Sequence, residues 1–346
     1  MIQHSKPTVS EDDALRVAAV VRSGHLVQGA EVEGFERELA GRLAVATAAA
    51  VSSGSAALEL ALSAVGAGPG REVVVPTYAC DALHHAVTRC GAVPVLADAD
   101  PETLGPSGKD VARRLTPRTC AIVVVHPFGL AVGLDEFLAL GLPVVEDCAQ
   151  AIGAALDGRP AGSRGALAVC SFYATKLLTT GEGGAVGGPR DVVERVRDAR
   201  DYDEREDLAP RFNYKLTDMQ AALGRSQLAR LDAFIARRRA IAARYRAALA
   251  GIVSCRPPGD PGERHVYHRF VVAVDRPLGP LIAALDRRGI AARRPVFRPI
   301  HRALGLDGYP EAERAWARHL SLPCYPLLTD GEADAVAATL VEALEA

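Results

Sequence analysis

Between residues 47 and 190, short runs rich in Val, Ile and Ala alternate with segments of helical pattern. The runs REVVVPTY (71–78) and TCAIVVVHPFG (119–129) are typical examples. Near-continuous apolar runs are typical of strands buried on both faces, and parallel strands need a crossover segment, usually helical, between them. The pattern therefore predicts an α/β fold with a mainly parallel sheet, whose ligands bind beyond the carboxyl ends of the strands.

The C-terminal third has a different pattern. Residues 217–250 carry apolar positions at helical spacing, with Thr217 or Asp218 as a helix N-cap, which predicts one long helix or a pair. A strand, HVYHRFVVAVD (265–275), and two further helices follow, the last at 330–345. Because 346 residues exceed one ordinary core, we predict two domains. Residues 10–235 form a large α/β domain, and residues 236–346 form a smaller α+β domain with segment 1–9 packed nearby.

Charge and composition exclude several classes of protein. The 40 basic and 42 acidic residues nearly balance, which disfavours nucleic acid and anionic membranes as partners. No apolar run approaches the 18 residues of a membrane span, and the N-terminus lacks the apolar region of a secretory signal. Seven scattered cysteines without a CxxC pair indicate reduced thiols, and the HxxH of His265 and His268 lacks further ligands at metal spacing. We expect a cytoplasmic protein without a metal.

Lys176 stands out within the segment SFYATKLLTTGEGGAV (171–186). Only four of the 40 basic residues are lysines, so surface charge is supplied almost entirely by arginine. An ammonium group can lose its proton and condense with an aldehyde, which a guanidinium cannot do. The alternative interpretation is a glycine-rich turn that carries a solvated lysine.

Two other predicted strand ends carry polar side chains. Ser53, Gly54 and Ser55 open an Ala-rich helix, where free backbone N–H groups favour a phosphate, although taken alone such a segment is more often a simple helix cap. As a carboxylate, Asp147 could hold a proton on a heterocyclic nitrogen, and Gln150 could meet a phenolic oxygen; alternatively, Asp147 could merely cap a helix. A phosphate site, an acid, an amide and a lysine at neighbouring strand ends together match the requirements of pyridoxal 5′-phosphate.

The chain resembles, nearly from end to end, the DegT/DnrJ/StrS family of sugar aminotransferases, which use pyridoxal 5′-phosphate on the fold-type I scaffold. An N-terminal segment and five ordered motifs carry the resemblance: KPTVSEDDALRVAAVVRSGHLVQGAEVEGFERELA, then VSSGSAALELAL, EDCAQAIGA, SFYATKLLTTGEGGAV, RFNYKLTDMQAALGRSQLARLD and HLSLPCYPLLTD. The resemblance implies a large domain with a mainly parallel sheet and a smaller C-terminal α+β domain.

The resemblance also implies roles for individual residues. Lys176 takes the position that is joined to the cofactor, Asp147 faces the pyridine nitrogen, and Gln150 faces the ring hydroxyl. The positions that bind the phosphate are Gly54, Ser55 and Ser171. A related branch of dehydratases has histidine at the lysine position, so Lys176 favours transamination.

Asn213 takes the position that reaches the phosphate of the neighbouring subunit, which implies a homodimer with shared active sites. The chain departs from the family at two positions near the cofactor. Cys80 stands where many members have an aromatic residue stacked on the ring, so either Tyr78 or another group covers that face. Leu177 replaces the frequent asparagine after the lysine.

The implied activity moves an amino group from glutamate or glutamine to a keto-sugar, in particular a nucleotide-linked one, in amino-sugar or natural-product biosynthesis. Three interpretations remain open beside it: a keto-cyclitol acceptor, an elimination or decarboxylation on the same fold, and a regulator that binds the cofactor without catalysis. In the loop ARRPVFRPIHRAL, we take Arg294, Arg298 and His301 as candidate contacts for an anionic substrate; a solvated arginine-rich loop is the alternative.

Overall fold

The computed structural model describes residues 1–256 and 262–345. The helices are α1 (Glu11–Ser23), α2 (Ala30–Leu43), α3 (Gly54–Ala64), α4 (Ala82–Arg89), α5 (Gly108–Arg114), α6 (Asp135–Leu138), α7 (Arg190–Ala199), α8 (Asp218–Ala229), α9 (Leu231–Leu249), α10 (Leu278–Arg287), α11 (Ile300–Leu304), α12 (Pro310–Arg318) and α13 (Asp330–Glu345). The strands are β1 (Thr47–Val51), β2 (Glu72–Pro76), β3 (Val93–Ala97), β4 (Thr119–Val125), β5 (Val144–Asp147), β6 (Ala155–Leu156), β7 (Arg159–Pro160), β8 (Leu167–Ser171), β9 (Gly184–Gly188), β10 (Cys255–Arg256), β11 (Phe270–Val274) and β12 (His319–Leu322). Single 3₁₀ turns occupy Pro127–Gly129 and Gly262–Arg264.

Seven strands form the large sheet, in the order β1-β9-β8-β5-β4-β2-β3. Neighbours pair in parallel from β3 through β8, whereas β9 runs antiparallel to both β8 and β1. The prediction of an α/β fold with a mainly parallel sheet is therefore confirmed. Since β1 runs in the same direction as β2, β4, β5 and β8, all five strands end at one edge.

Both faces of this sheet are covered, as the apolar runs predicted. Val73 and Val75 in β2 contribute to one hydrophobic cluster, while the intervening Val74 contributes to another with Ile122 and Phe137. All three valines are fully buried. Successive strand side chains point to opposite faces, so a strand with apolar residues at every position requires helices on both sides.

The predicted helical segment at 217–250 is a pair, α8 and α9. The Thr217 side chain accepts a hydrogen bond from the Gln220 backbone, and the Gln220 side chain in turn accepts from the Thr217 backbone, which together form a capping box. A single non-helical junction at Arg230 separates the two helices. The predicted boundary at residue 235 falls inside α9, and the division into domains 10–235 and 236–346 stays a prediction.

The predicted strand 265–275 is shorter than expected, because β11 begins only at Phe270. Residues 265–269 instead pack against the loop after β4: Val266 N–H donates to the Gly129 carbonyl and Arg269 N–H to the Phe128 carbonyl. Tyr267 has a positive φ of 49°, which no regular strand allows. This departure brings the residues before β11 to the large sheet.

A three-stranded antiparallel sheet, β10-β11-β12, lies in the C-terminal part. Its core includes residues of α9, α10 and α13. The N-terminal segment contacts this part of the chain: Ile2 forms a bridge with Ile290, and the His4 ring lies 2.9 Å from the Ser321 hydroxyl. Among the described residues, no helix is both long and apolar enough to cross a membrane.

Candidate active site

The pairing of the strands gathers the chemically suggestive residues at one edge of the large sheet. Val51 at the end of β1 and Ser171 at the end of β8 both pair with Gly184, and Asp147 at the end of β5 pairs with Val169. A cavity of about 500 Å³ opens there. Its lining includes Ser53, Gly54, Ser55, Tyr78, Cys80, Phe128, Asp147, Gln150, Ser171, Lys176, His268, Arg269 and Arg298.

The N-terminus of α3 forms one end of the cavity. The Ser53 side chain caps the helix by accepting from Ala56 N–H at 3.1 Å, so the neighbouring N–H groups remain available. Gly54 lies against Ser171: a Cβ at this position would stand 2.7 Å from the Ser171 Cβ and 2.9 Å from its hydroxyl oxygen. Glycine is therefore required for the backbone and the Ser171 hydroxyl to approach one another. Backbone N–H groups, a helix dipole and serine hydroxyls can together hold a phosphate.

Asp147 and Lys176 share the same cavity wall. Burial raises the pKa of Asp147, although its hydrogen bond from Ala149 N–H at 2.9 Å and the nearby Lys176 oppose the rise. Burial likewise lowers the pKa of Lys176, against the opposing effect of Asp147. A lowered pKa increases the fraction of lysine that is unprotonated and able to attack a carbonyl carbon.

Gln150 is held in one orientation by the turn after β4. Its side-chain carbonyl accepts the Phe128 N–H at 2.8 Å, so the amide NH₂ remains as a donor. Phe128 has a φ of 58°, unusual for a residue with a large side chain, and its ring packs edge-on against Tyr78 at 6.3 Å. Tyr78 is almost fully buried, and burial raises the pKa of its hydroxyl, which has no hydrogen-bond partner among the described residues. Cys80 lines the same cavity and is exposed.

Three of the residues selected from the sequence lie elsewhere. Asn213 is exposed, lies opposite Asp201 in an isolated bridge, and does not line the cavity. His301 is buried, with one ring nitrogen 2.8 Å from the Thr77 hydroxyl and the other 2.7 Å from the Glu313 carboxylate. The structure thus gives His301 a role in packing, because both polar atoms are already engaged.

Arg294 lines a second cavity of about 840 Å³ beside the first. Its guanidinium stacks on Trp316 at 4.3 Å and its Nε donates to the Trp316 carbonyl. Four residues line both cavities: Arg269, Pro295, Phe297 and Arg298. Arg294 therefore lies next to the candidate active site and not within it.

Sequence reasoning missed several residues of the cavity wall, including Phe128, His268 and Arg269. His268 and Arg269 come from the segment that departs from the strand pattern, more than 90 residues along the chain from Lys176. The HxxH spacing drew attention to His268 only as a metal ligand. Nothing in the local pattern links this segment to the sheet edge, because the link is a long-range backbone contact.

A buried polar cluster lies next to Asp147, at the ends of β4 and β5. Glu146 precedes Asp147 and accepts hydrogen bonds from the His126 ring at 2.9 Å and from the backbone of Gly162 and Arg164 at 2.7 and 2.8 Å. The other His126 ring nitrogen accepts Val132 N–H at 3.0 Å. Glu146, His126 and Cys148 could together hold a metal by proximity, but the hydrogen bonds already occupy the ligand atoms of Glu146 and His126. The cluster therefore fixes the loops around Asp147.

Comparison with known proteins agrees with this geometry. The DegT/DnrJ/EryC1/StrS aminotransferase family matches residues 7–341. The chain is 36% identical over 335 residues to GDP-perosamine synthase from Caulobacter vibrioides, covering 90% of this chain and 89% of the relative. It is 38% identical over 338 residues to dTDP-3-amino-3,4,6-trideoxy-alpha-D-glucose transaminase from Streptomyces venezuelae, covering 92% and 88%.

A solved structure extends the similarity to the whole fold. The putative sugar aminotransferase Spr1654 from Streptococcus pneumoniae, in its PLP form, superposes with a TM-score of 0.93 at 26% identity, covering 99% of this chain and 98% of that one. Fold and cavity define a fold-type I, PLP-dependent transferase. The chain belongs to the DegT/DnrJ/EryC1/StrS aminotransferase family, and its activity is that of a PLP-dependent aminotransferase in amino-sugar biosynthesis.

Proposed function

We propose that this aminotransferase moves an amino group from an amino acid to the keto group of a nucleotide-linked sugar, with Lys176 and Asp147 at its centre. The observation that carries the proposal is that the buried Asp147 and the half-buried Lys176 line one cavity, at the end of which stands the N-terminus of α3. The relatives that act on GDP-linked and dTDP-linked sugars support the class of acceptor. A keto-cyclitol acceptor is the alternative.

The cavity fits pyridoxal 5′-phosphate on the residues present. Gly54, Ser55 and Ser171 would hold the phosphate, Asp147 the pyridine nitrogen, and the free NH₂ of Gln150 the ring hydroxyl. When bound, the cofactor supplies an electron-accepting ring that stabilises negative charge at the carbon bearing the amine. Cys80 is exposed in the lining of this cavity, and Tyr78 and Phe128 pack against one another in the same lining, so either could lie beside the ring.

Asp147 and Lys176 would each act on a different proton. Asp147, as a carboxylate, would hold a proton on the ring nitrogen, because a neighbouring cation favours its charged form. Lys176, once its amine is free, would take the proton from the α-carbon of the donor and deliver it to the aldehyde carbon of the cofactor. Its lowered pKa suits this role, since a base must be unprotonated at the working pH to accept the proton.

Two accessible cations would meet the anionic part of the acceptor. Arg298 is exposed at the boundary of the two cavities and has no carboxylate partner among the described residues; the half-buried Arg294 has none either. By contrast, the neighbouring Arg302 is paired with Glu313. Unpaired guanidinium groups beside a cavity suit a diphosphate, which accepts bidentate hydrogen bonds.

We further propose a homodimer in which Asn213 completes the site of the partner. Asn213 is exposed and outside the cavity of its own chain, as a residue that serves another subunit must be. A cytoplasmic location is proposed on the seven free cysteines, five of them buried.

The test is borohydride reduction of the purified protein, followed by peptide mass analysis. We expect a pyridoxal adduct on Lys176 and none in a Lys176→Ala variant. An adduct on Lys6, Lys109 or Lys215 would refute the assignment of Lys176. Incubation of the pyridoxamine form with nucleotide-linked keto-sugars and keto-cyclitols, followed by absorbance, then identifies the acceptor class by return of the pyridoxal spectrum.

A further inference from the structure

Arg269 is a half-buried cation without a carboxylate partner. Two of the five arginines that line the second cavity are neutralised: Arg293 pairs with Asp286 at 2.9 Å and Arg302 with Glu313. Within residues 1–256 and 262–345, no carboxylate lies at ion-pair distance from Arg269, and its buried Nε lacks a hydrogen-bond partner. Its Nη1 is 3.3 Å from the ring nitrogens of His4, which is a weak contact. Burying a charge in this way is costly unless an anion compensates it.

The groups around Arg269 do not supply that anion. Burial and the charges of Arg269 and Arg293 lower the pKa of His4 to about 3, so its ring is neutral at physiological pH. Burial and the nearby Lys176 lower the pKa of His268 well below its usual range, and its Nδ1 has no partner among the described residues. Arg238, close behind, donates to backbone carbonyls and adds a second positive charge. This wall of the cavity therefore carries an uncompensated positive charge.

We infer that Arg269 binds the α-carboxylate of the amino-acid donor, an inference that rests on the proposed function. Arg269 and Lys176 line the same cavity, close enough for the charge of Arg269 to act on the lysine. The α-carboxylate of an amino acid is attached to the carbon that bears the reacting amine, so a donor that reacts at Lys176 must place this carboxylate in the same cavity, where Arg269 is a half-buried cation without a carboxylate partner among the described residues. A guanidinium binds a carboxylate through two parallel hydrogen bonds, which also orients the donor.

Two other anions fit this position less well. The cofactor phosphate has its own site at the N-terminus of α3, where Gly54 and Ser171 meet. A diphosphate is larger and would first reach Arg298, which is exposed, and Arg294 at the second cavity. The half-buried position of Arg269 beside the lysine selects the smaller anion.

The experiment titrates the pyridoxal-loaded protein with 2-methyl-L-glutamate, which lacks the Cα proton and binds without transferring its amine. Isothermal titration calorimetry and absorbance report its affinity. We expect Arg269→Gln to weaken binding about 10- to 100-fold, the loss of a charge-assisted hydrogen-bonded pair, and Arg269→Lys to restore part of it. Affinity for pyridoxal 5′-phosphate and the reaction of the pyridoxamine form with the acceptor should not change.

The matched control is Arg293→Gln, which removes an arginine that is already paired with Asp286. It should leave the affinity for 2-methyl-L-glutamate unchanged. A second probe, 4-aminobutanoate, keeps the side-chain carboxylate of glutamate but lacks the α-carboxylate, so Arg269→Gln should leave its binding unchanged.

Equal affinity of wild type and Arg269→Gln for 2-methyl-L-glutamate would overturn the inference, as would a wild type that does not bind it. A loss confined to the acceptor, to the cofactor or to 4-aminobutanoate would also overturn it, by assigning Arg269 to another anion. Borohydride labelling of the same samples separates the two proposals. A missing label on Lys176 refutes the proposed function, whereas labelled protein with unchanged donor affinity refutes only the role of Arg269.

Discussion

The sheet edge and the arginine-rich C-terminal loop form two sides of the same cavity, yet they are built differently. At the sheet edge, the polar side chains follow directly from strand ends: Asp147 closes β5, Ser171 closes β8, and Ser53 follows β1. In the loop between α10 and α11, by contrast, Arg293 pairs with Asp286, and in α11 itself Arg302 pairs with Glu313. Among the described residues, Arg294 and Arg298 have no carboxylate partner and remain available to an anionic substrate.

The two regions differ in how well the type of a residue predicts its functional role. A carboxylate or lysine at the end of a buried strand has few polar neighbours, so its position alone suggests chemistry. An arginine on a loop has many possible partners, and its availability depends on whether a carboxylate lies within reach. Substitutions in both regions test this contrast, and the most damaging ones lie at the sheet edge.

Lys176→Ala should lower amino transfer by more than about 10³-fold, since the covalent attachment and the proton-transfer group are both lost. Steady-state turnover and the absorbance of the bound cofactor measure the effect, and circular dichroism should show an intact fold. Lys6→Ala, at a lysine far along the chain and outside the cavity, is the control. A Lys176→Ala enzyme that retained substantial turnover would remove the sheet edge from the chemistry.

Asp147→Asn should lower kcat by about 10²- to 10³-fold, because a neutral amide stabilises a protonated ring nitrogen poorly. The absorbance of the bound cofactor should persist, since the phosphate site and Lys176 are unchanged. Stopped-flow measurement of the reaction with amino donor isolates the affected step. The sequence left open that Asp147 caps a helix, but a turn follows β5, and a normal rate in that step would limit Asp147 to holding this turn through Ala149 N–H.

Glu146→Gln should destabilise the protein by about 2 kcal/mol at pH 7, because an NH₂ group replaces an oxygen that accepts backbone N–H groups. Burial opposes ionisation of Glu146, but hydrogen bonds from His126 and from the backbone of Gly165 and Gly162 outweigh it and lower the pKa of Glu146. A folded-state pKa below the unfolded value adds stability above that unfolded value, and the gain is lost as pH falls through the folded pKa.

The difference between wild type and Glu146→Gln should therefore shrink as the pH drops below about 4. Urea unfolding at pH 7 and at acidic pH measures it. Glu194→Gln, at an exposed surface pair with Arg197, is the control and should change stability by less than about 0.5 kcal/mol. A pH-independent difference would mean that packing, not the ionised carboxylate, sets the stability of this cluster.

Gly54→Ala should weaken pyridoxal 5′-phosphate binding about tenfold, because the added Cβ meets Ser171 and must displace its backbone or hydroxyl. Cofactor affinity of the apoprotein measures this directly. Gly41→Ala, in α2, is the matched control, since a Cβ there has no neighbouring atom within 4 Å. Equal cofactor affinity in both variants would show that the close approach of Gly54 and Ser171 is not needed for the phosphate.

Arg298→Gln should raise the KM for a nucleotide-linked acceptor by a few fold, about 1 kcal/mol, with kcat little changed, because an exposed cation contributes modestly to binding. Arg302→Gln, at the paired arginine, should have a smaller effect on KM. The two steady-state curves compare Arg298, in the loop before α11, with the paired Arg302 in α11. If Arg302→Gln had the larger effect, the absence of a carboxylate partner would not predict which arginine binds the acceptor.

Much of this site follows from local pattern. Buried strand runs specify the parallel sheet, and the residues that end those strands must share an edge. Gly54, Asp147, Gln150, Ser171 and Lys176 can therefore be grouped from the amino-acid sequence alone. Cys80 also lies in the cavity, as the family resemblance implies. The assignment of Asn213 to a partner chain remains a proposal.

The remainder depended on contacts between distant parts of the chain. Which side chains stand at the strand ends follows from the amino-acid pattern, because the burial of a strand shows in its short-range periodicity. Three features arise only in the folded chain: residues 265–269 leave the strand to meet the loop after β4, His301 is occupied by Thr77 and Glu313, and Arg269 lacks a carboxylate among the described residues. The physical reason is that the state of a polar group depends on the partners within a few ångströms of it, and folding supplies those partners from anywhere in the chain.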